Sequence, residues 1–306
     1  MHVFRGFPGV AQGHVALTIG NFDGVHRGHQ AMLARLTEAA EDVGLPSAVL
    51  TFDPHPREFF APDKAPPRLS SIRSKLEQFR VAGVAQVCVA RFDAELAAMP
   101  AEDFIERVLV GRLGAQWVLV GEDFRFGRGR AGDLAVLRAA ARTFSVEAMR
   151  TVSIDAERAS STAVRNALAA GELDRAGRLL GRPYAISGRV AHGEKLGTSL
   201  GFPTANIVLR HKPALSGIFA VRVHGLGPTP RTGVASLGVR PTVKTDAMPL
   251  LEVFVFDFSE PIYGRRVDVE FVHKLRDEER YPDLDTLTRQ IRADVAQARD
   301  YFASHS

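Results

Sequence analysis

Ile19-Gly20-Asn21-Phe22-Asp23-Gly24-Val25-His26-Arg27-Gly28-His29 decides how this chain of 306 residues is read. The short apolar run Val15-Ala16-Leu17-Thr18-Ile19 leads into it and reads as a buried strand. A helical pattern follows, with Leu33, Leu36, Ala40 and Val43 on one face and Gly44-Leu45-Pro46 as its stop. A strand, a tight glycine loop and a helix N-terminus form an anion site, because unpaired N–H groups and the helix dipole converge on one place. Gly20, Asn21, Phe22 and Asp23 form the loop, and His26 and His29 flank Gly28 on the first helical turn. There glycine lets the backbone approach a ligand and the imidazoles donate to phosphate oxygens, which suits a nucleoside triphosphate. A His-x-Gly-His segment alone would as readily be a chance pair or a metal pair. Its place directly after a strand, inside Gly-Asn-Phe-Asp-Gly, favours the phosphate reading.

Composition narrows the setting. Hydrophobic residues make up 45% and charged residues 24%, the proportions of a soluble globular protein with one large or two ordinary domains. No apolar run approaches the roughly 18 residues that span a bilayer, so no membrane partner is expected. Met1-His2-Val3-Phe4-Arg5-Gly6 lacks the apolar core of a signal peptide, and a cytoplasmic location is expected. The lone Cys88, within Val87-Cys88-Val89, reads as an inert buried residue. The net charge of +4 comes from basic residues scattered along the chain, with no block and no basic stripe between aromatics. That excess fits phosphate-bearing small substrates and gives no support to a nucleic-acid partner.

Outward from the opening stretch, strands and helices alternate. Strands are read at Ser47–Phe52, Ala85–Ala90, Gln116–Val120 and Ser145–Arg150. Helices are read around Ser74–Ala82, from Pro100-Ala101-Glu102-Asp103 to Gly111, and at Asp133–Arg142. This predicts a parallel sheet covered by helices on both faces. The unusual segments all follow strands: the His pair, Pro54-His55-Pro56, Gly121–Gly127 and Ser160-Ser161-Thr162. Ligands of open parallel sheets bind at the carboxyl ends of strands. Ser or Thr caps the helix running through Asn166-Ala167-Leu168, which puts Arg165 in its first turn. A cation is disfavoured there unless an anion or carboxylate offsets it, so a second phosphate grip is read beside an ordinary capped helix.

Near Tyr184 the period changes from helical to alternating, which sets a boundary between residues 1–184 and 185–306. Short strands at Ala185–Val190, Gly217–His224, Arg231–Leu237, Leu250–Phe258 and Arg266–Val272, parted by glycine and proline clusters, predict a small antiparallel barrel. An amphipathic helix from Leu284 to Phe302 should pack on it through Leu284, Leu287, Ile291, Val295 and Ala298. Gly188, Gly193, Gly197 and Gly201 space a loop, with Lys195 inside it, that can wrap phosphates or simply turn. Thr204 and Asn206 offer neutral oxygens suited to Mg²⁺ already held by ATP. Alternation places Glu252 on the face of Phe254, Phe256 and Phe258, where a carboxylate needs a task or a partner. The plainer alternatives are a solvent-exposed barrel rim, or a pair with Arg240 or Arg276.

These motifs, in this order, resemble the bacterial bifunctional riboflavin kinase/FMN adenylyltransferases, the FAD synthetase family. Gly20–His29 resembles its nucleotidylyltransferase signature. Thr51-Phe52-x-Pro54-His55-Pro56, Gly121-Glu122-Asp123-Phe124-x-Phe126-Gly127 and Ser160-Ser161-Thr162-x-x-Arg165 match its further segments. In the second half the matching pieces are Pro203-Thr204-Ala205-Asn206, Leu237-Gly238-x-x-Pro241-Thr242, Glu252 and Phe271-x-x-Lys274-Leu275-Arg276-x-Glu278. Asp123 stands where some members carry Asn, Thr198-Ser199 where many carry Gly-Arg, Phe254 where His is frequent and Ser236 where Asn is common. The resemblance implies a Rossmann-like nucleotidylyltransferase domain followed by a riboflavin-kinase-like barrel. It implies riboflavin, FMN and ATP as substrates, Mg²⁺ with the ATP, and FMN and FAD as intermediate and product. His26 and His29 would stabilise phosphate charge during adenylyl transfer, with Arg165 and Ser161 at the far end and His55 bordering the flavin. Glu252 would be the general base of the kinase, with Thr204 and Asn206 holding Mg·ATP. A monomer or weak homo-oligomer is expected. A nucleic-acid-binding barrel is the rival of another class, and it needs a basic, aromatic groove that the sequence does not show.

Overall fold

The computed structural model describes residues 1–193, 197, 200–239 and 248–305. Contacts divide it into two units, Met1–Pro66 with Ser70–Ser160, and Pro67–Leu69 with Ser161–Ser306.

The first unit is a parallel sheet of β1 (His2–Arg5), β2 (Val15–Ile19), β3 (Ser47–Phe52), β4 (Gln86–Ala90), β5 (Ala115–Gly121) and β6 (Ser145–Met149), in the order β1-β4-β3-β2-β5-β6. Every residue of β2 is buried, as a strand covered on both faces requires. Neighbouring residues enter opposite cores. Leu17, Leu50 and Val118 pack with Phe104, Val108 and Leu137, while Ala16, Val49 and Leu119 pack with Leu33, Leu36 and Phe79. The chain runs outward from β2 to β3 and β4, then returns to β5 on the other side. The carboxyl end of β2 therefore lies at the switch point where such sheets bind ligands.

Several local expectations shift. The helix Arg27–Asp42 buries Leu33, Leu36, Ala39 and Ala40, whereas Val43 is its C-cap and 50% exposed. The edge strand β1 was hidden by its brevity. A hairpin of β7 (Ser153–Ile154) and β8 (Glu157–Arg158) stands between β6 and Ser160.

The second unit is a nearly closed antiparallel barrel of β9 (Ala185–Arg189), β10 (Ala205–Val208), β11 (Gly217–His224), β12 (Arg231–Val239), β13 (Pro249–Val255) and β14 (Arg266–Arg276), in the order β10-β13-β12-β11-β14-β9. A bridge in which the Ala191 N–H donates to the Asn206 carbonyl at 2.8 Å links the two ends of that order. Ile207, Phe219, Leu237, Leu251, Val269 and Phe271 fill the interior. The helices Ser161–Ala169 and Leu173–Leu180 join this same core through Val164, Leu168, Ala176 and Leu179. The contact division thus falls earlier than the change of period near Tyr184. Periodicity reports local structure, not which core a helix enters.

The terminal helix Leu284–Ser304 starts at Asp283, whose side chain accepts from the Thr286 N–H at 2.7 Å. It packs Val295, Ala298 and Phe302 on the outer face of the barrel, against Ile218, Ala220 and Phe256. Leu284, placed at the head of its apolar line, is instead 54% exposed.

Candidate active sites

In the first unit, the loop after β2 is held in an unusual shape. Phe22 (φ 49°) and Val25 (φ 43°) lie in the left-handed region although neither is glycine, and Gly24 (φ 82°) lies between them. Such backbone persists only where surrounding contacts over-determine it. Those contacts are present. The Asp23 carboxylate, 4% exposed, accepts from the Ser70 N–H at 3.1 Å and the Ser70 hydroxyl at 3.2 Å. That hydroxyl in turn accepts from the Gly24 N–H at 3.0 Å. Phe22 is buried, with ring centroids 4.9 Å from His29 and 5.3 Å from Phe79. Two of the loop residues read as nucleotide ligands, Phe22 and Asp23, therefore turn inward and set the loop's form. Gly20 and Gly28 make room for protein as well. A Cβ would lie 3.1 Å from the Phe22 ring at Gly20, and 3.2 Å from both the Ala159 carbonyl and the His26 ring at Gly28.

His26 is the N-cap of Arg27–Asp42. Its Nδ1 accepts from the His29 N–H at 3.4 Å, an acceptor role that assigns its proton to Nε2. The two imidazoles stack at 3.7 Å between centroids with 23° between planes. His29 Nδ1 and Asn21 Oδ1 are buried without a hydrogen-bond partner among the described residues. Burial first, then the neighbouring His26 and Lys75, hold the His29 imidazole well below its usual pKa. His29 is accordingly neutral near pH 7, a hydrogen-bonding group rather than a fixed cation.

The remaining candidates of this unit are more peripheral. His55 caps the short helix Pro56–Phe60, its Nδ1 accepting from the Arg57 N–H at 3.1 Å while Glu58 accepts from the His55 N–H at 3.2 Å. That gives it a task independent of any ligand. Phe59 and Phe60 gather edge-on around Phe92 at 5.6 Å, an exposed aromatic platform. Asp123 is exposed and paired with Arg158.

In the second unit Ser161 and Thr162 open the helix Ser161–Ala169, so Arg165 is its fifth residue, just past the first turn in which it was expected. Arg165 Nε donates to the Pro67 carbonyl at 2.7 Å, so a backbone oxygen supplies part of what an anion was expected to offer.

Strand register builds the barrel's site. Asn206 opposes Glu252 across β10 and β13, Glu252 opposes Ser236, Ser236 opposes Ile218, and Ile218 opposes Arg276. Directly opposed residues share a face, so one row runs Asn206-Glu252-Ser236-Ile218-Arg276. Leu251, Val253 and Val255 fill the interior, which turns Glu252 and Phe254 outward into a cleft of about 230 Å³. Thr204, Phe202, Glu278 and Tyr281 also line it, with Leu287 and Ile291 of the terminal helix. The alternation continues as far as Phe256. At Asp257 (φ 52°) the chain leaves extended geometry, and Phe258 returns to the interior instead of sharing the face of Glu252.

Arg276 does not neutralise Glu252 by pairing with it. Its guanidinium grips Asp294 of the terminal helix through two bonds, 2.8 and 2.7 Å, and Asp294 is 4% exposed. Breaking such a pair strands the remaining charge. Asp294→Ala is expected to destabilise the barrel by about 3 kcal/mol, as chemical denaturation would register. Glu278 went unnoticed among the candidates although it closes a quoted motif. Its carboxylate lies against Gly238, and a side chain there would force the end of Glu278 to shift. Burial chiefly, and then Glu252, push its carboxyl above the usual range, with Arg276 opposing.

Three glycines of the series have a packing reason, whereas Gly201 has open space beside it and a φ of 87°. A Cβ on Gly188 would strike Ile207, one on Gly193 the Asn206 side chain, and one on Gly197 the Phe202 carbonyl. Lys195, Thr198, Ser199, Arg240, Pro241 and Thr242 lie outside the described residues. Among the described residues no cluster of three or more His, Cys, Asp or Glu could hold a metal ion, and no helix is long and apolar enough to cross a membrane.

Comparison with known proteins matches residues 10–163 to the FAD synthetase family and residues 180–302 to the riboflavin kinase family. The bifunctional riboflavin kinase/FMN adenylyltransferase of Haemophilus influenzae is 48% identical over 94% of each chain. That of Pseudomonas fluorescens is 48% identical over 98% of this chain and 97% of its own. A Streptococcus pneumoniae crystal structure described as a macrolide-efflux protein superposes with a TM-score of 0.78 at 27% identity, covering 96% of this chain and 97% of that one.

Proposed function

The chain belongs to the bifunctional riboflavin kinase/FMN adenylyltransferase family, and from that membership we propose which of its residues do the work. The enzyme phosphorylates riboflavin to FMN with its C-terminal kinase domain and adenylylates FMN to FAD with its N-terminal domain. We assign the adenylyltransferase to 1–184 and the kinase to 185–306, in the cytoplasm, where ATP is plentiful.

The observation that carries the kinase assignment is the cross-strand row, which sets Glu252 between Asn206 and Ser236 in a cleft. Glu252 takes the proton of the ribityl hydroxyl as that oxygen attacks the γ-phosphorus of ATP, and ADP leaves. Asn206 Nδ2 donates to the Thr204 carbonyl at 3.1 Å, which turns its Oδ1 the other way as an acceptor. That oxygen and the Thr204 hydroxyl fit Mg²⁺ arriving with ATP, since two neutral donors suit an ion already held by phosphates. When bound, the ion neutralises phosphate charge.

In the other half, His26 and His29 stand at the N-terminus of Arg27–Asp42 beyond β2. Their imidazoles donate hydrogen bonds to phosphate oxygens while the FMN phosphate attacks the α-phosphorus and pyrophosphate departs. No covalent intermediate on the protein is required; position and electrostatics suffice.

Incubating the full chain with riboflavin, ATP and Mg²⁺ and separating the flavins over time tests the whole reading. FMN should appear first and FAD after it with equal pyrophosphate, and a chelator should stop both. FAD formed from added FMN, with no FMN formed from riboflavin, would leave only one working half.

A further inference from the structure

The helix Ile72–Val81 turns Lys75 and Phe79, one turn apart and both buried, toward the loop after β2. Phe79 meets Phe22 edge-on, as described above. Lys75 is 5% exposed, and its ammonium donates to the Asn21 carbonyl at 2.6 Å. It also lies 3.5 Å from the Thr51 hydroxyl, which donates to the same carbonyl at 3.3 Å. Removing an ammonium from water is costly, and a methionine would pack beside Phe79 without that cost. A lysine at this position therefore points to a use for its charge.

The bond fixes a peptide plane. In a trans peptide the C=O and the following N–H point in opposite directions. Tying the Asn21 carbonyl down onto Lys75 turns the Phe22 N–H away from the helix, and the left-handed Phe22 carries the chain on toward Gly24 and His26. We infer that Lys75 is a positioning residue for adenylyl transfer, fixing the Asn21–Phe22 peptide and setting its ammonium beneath the loop that receives the triphosphate. This rests on the reading of His26 and His29 as the phosphate site. The same cation adds to the burial that keeps His29 neutral. The titratable groups bearing on His29 are His26, at the end of its own helix, and Lys75, from Ile72–Val81; the facing Phe22 ring carries no charge.

Lys75→Met, Lys75→Gln and Lys75→Arg in the full chain test the inference, with His29→Ala as a reference. Lys75→Met should lower kcat/KM for FAD formation from FMN by about a hundred-fold while riboflavin phosphorylation in the same chain is unchanged. Lys75→Gln, which keeps a donor but no charge, should fall between, and Lys75→Arg should stay nearest the parent. Without the cation His29 protonates at higher pH, so the acid limb of the adenylylation profile should move up in Lys75→Met and Lys75→Gln and not in Lys75→Arg. A merely structural lysine would lower Tm and leave that limb in place. Should Lys75→Met fail to fold, with its kinase activity lost too, Lys75→Gln decides by the same criteria. Normal kcat/KM and an unmoved limb, beside an inactive His29→Ala, overturn the role of Lys75 alone. Normal FAD synthesis by His29→Ala overturns the phosphate site itself.

Discussion

Glu252→Gln leaves the chain unable to make FMN from riboflavin at a useful rate, while FAD formation from added FMN continues undiminished. The amide keeps the shape of the side chain and its place between Asn206 and Ser236 but no longer takes a proton. Loss of a positioned general base costs about 10²–10⁴-fold, so the drop should appear in kcat more than in the KM for ATP. Strand β13 keeps Leu251, Val253 and Val255 in the core, and a neutral replacement on its outward face does not disturb them. Tm should therefore hold. If both activities fall together, the two sites are not separate.

His29→Ala is expected to do the opposite. Riboflavin is converted to FMN, FMN accumulates, and pyrophosphate release falls by about 10²–10³-fold, as a coupled pyrophosphate assay would measure. The substitution also has a signature in stability. The folded His29 resists protonation, whereas the unfolded chain takes up a proton on it below about pH 6.5. The unfolded state then binds more protons, so stability falls as pH drops through that range. His29→Ala should remove this part of the acid slope in urea titrations between roughly pH 6.5 and 5. An unchanged slope would mean that the imidazole is not held neutral.

Much of the fold was legible because its signals are local. The buried run of β2, the alternation of strands with helices in the first half and the alternating strands of the second are written in hydrophobic period, and the structure follows them. The turn at Asp257 was not legible, since a single positive φ leaves no periodic trace, and it moved Phe258 to the other face. Strand β10 was missed for a related reason, being four residues placed just beyond Pro203-Thr204 and a glycine-spaced segment. At the sites, chemistry-bearing residues stood out but their neighbours did not. Glu252 looked isolated in sequence because Asn206 and Ser236 approach it only through strand register. Lys75 looked like any helix lysine until the loop after β2 was seen resting on it. Inward-facing Phe22 and Asp23 could not be told from outward ones, because a loop has no period to assign its faces.

The cross-strand row also bears on how the proposed kinase site is kept free of errors. Sliding β13 by one residue against its neighbours would thrust the carboxylate of Glu252 among Ile207 and Leu237 and present Val253 to the proposed nucleotide site. Such misregistered chains lose their interior packing as well as their chemistry, so they open readily and become available to proteases. The greasy half of the strand thus proofreads the polar half, and the residue proposed as the base is inspected by side chains packed in the interior.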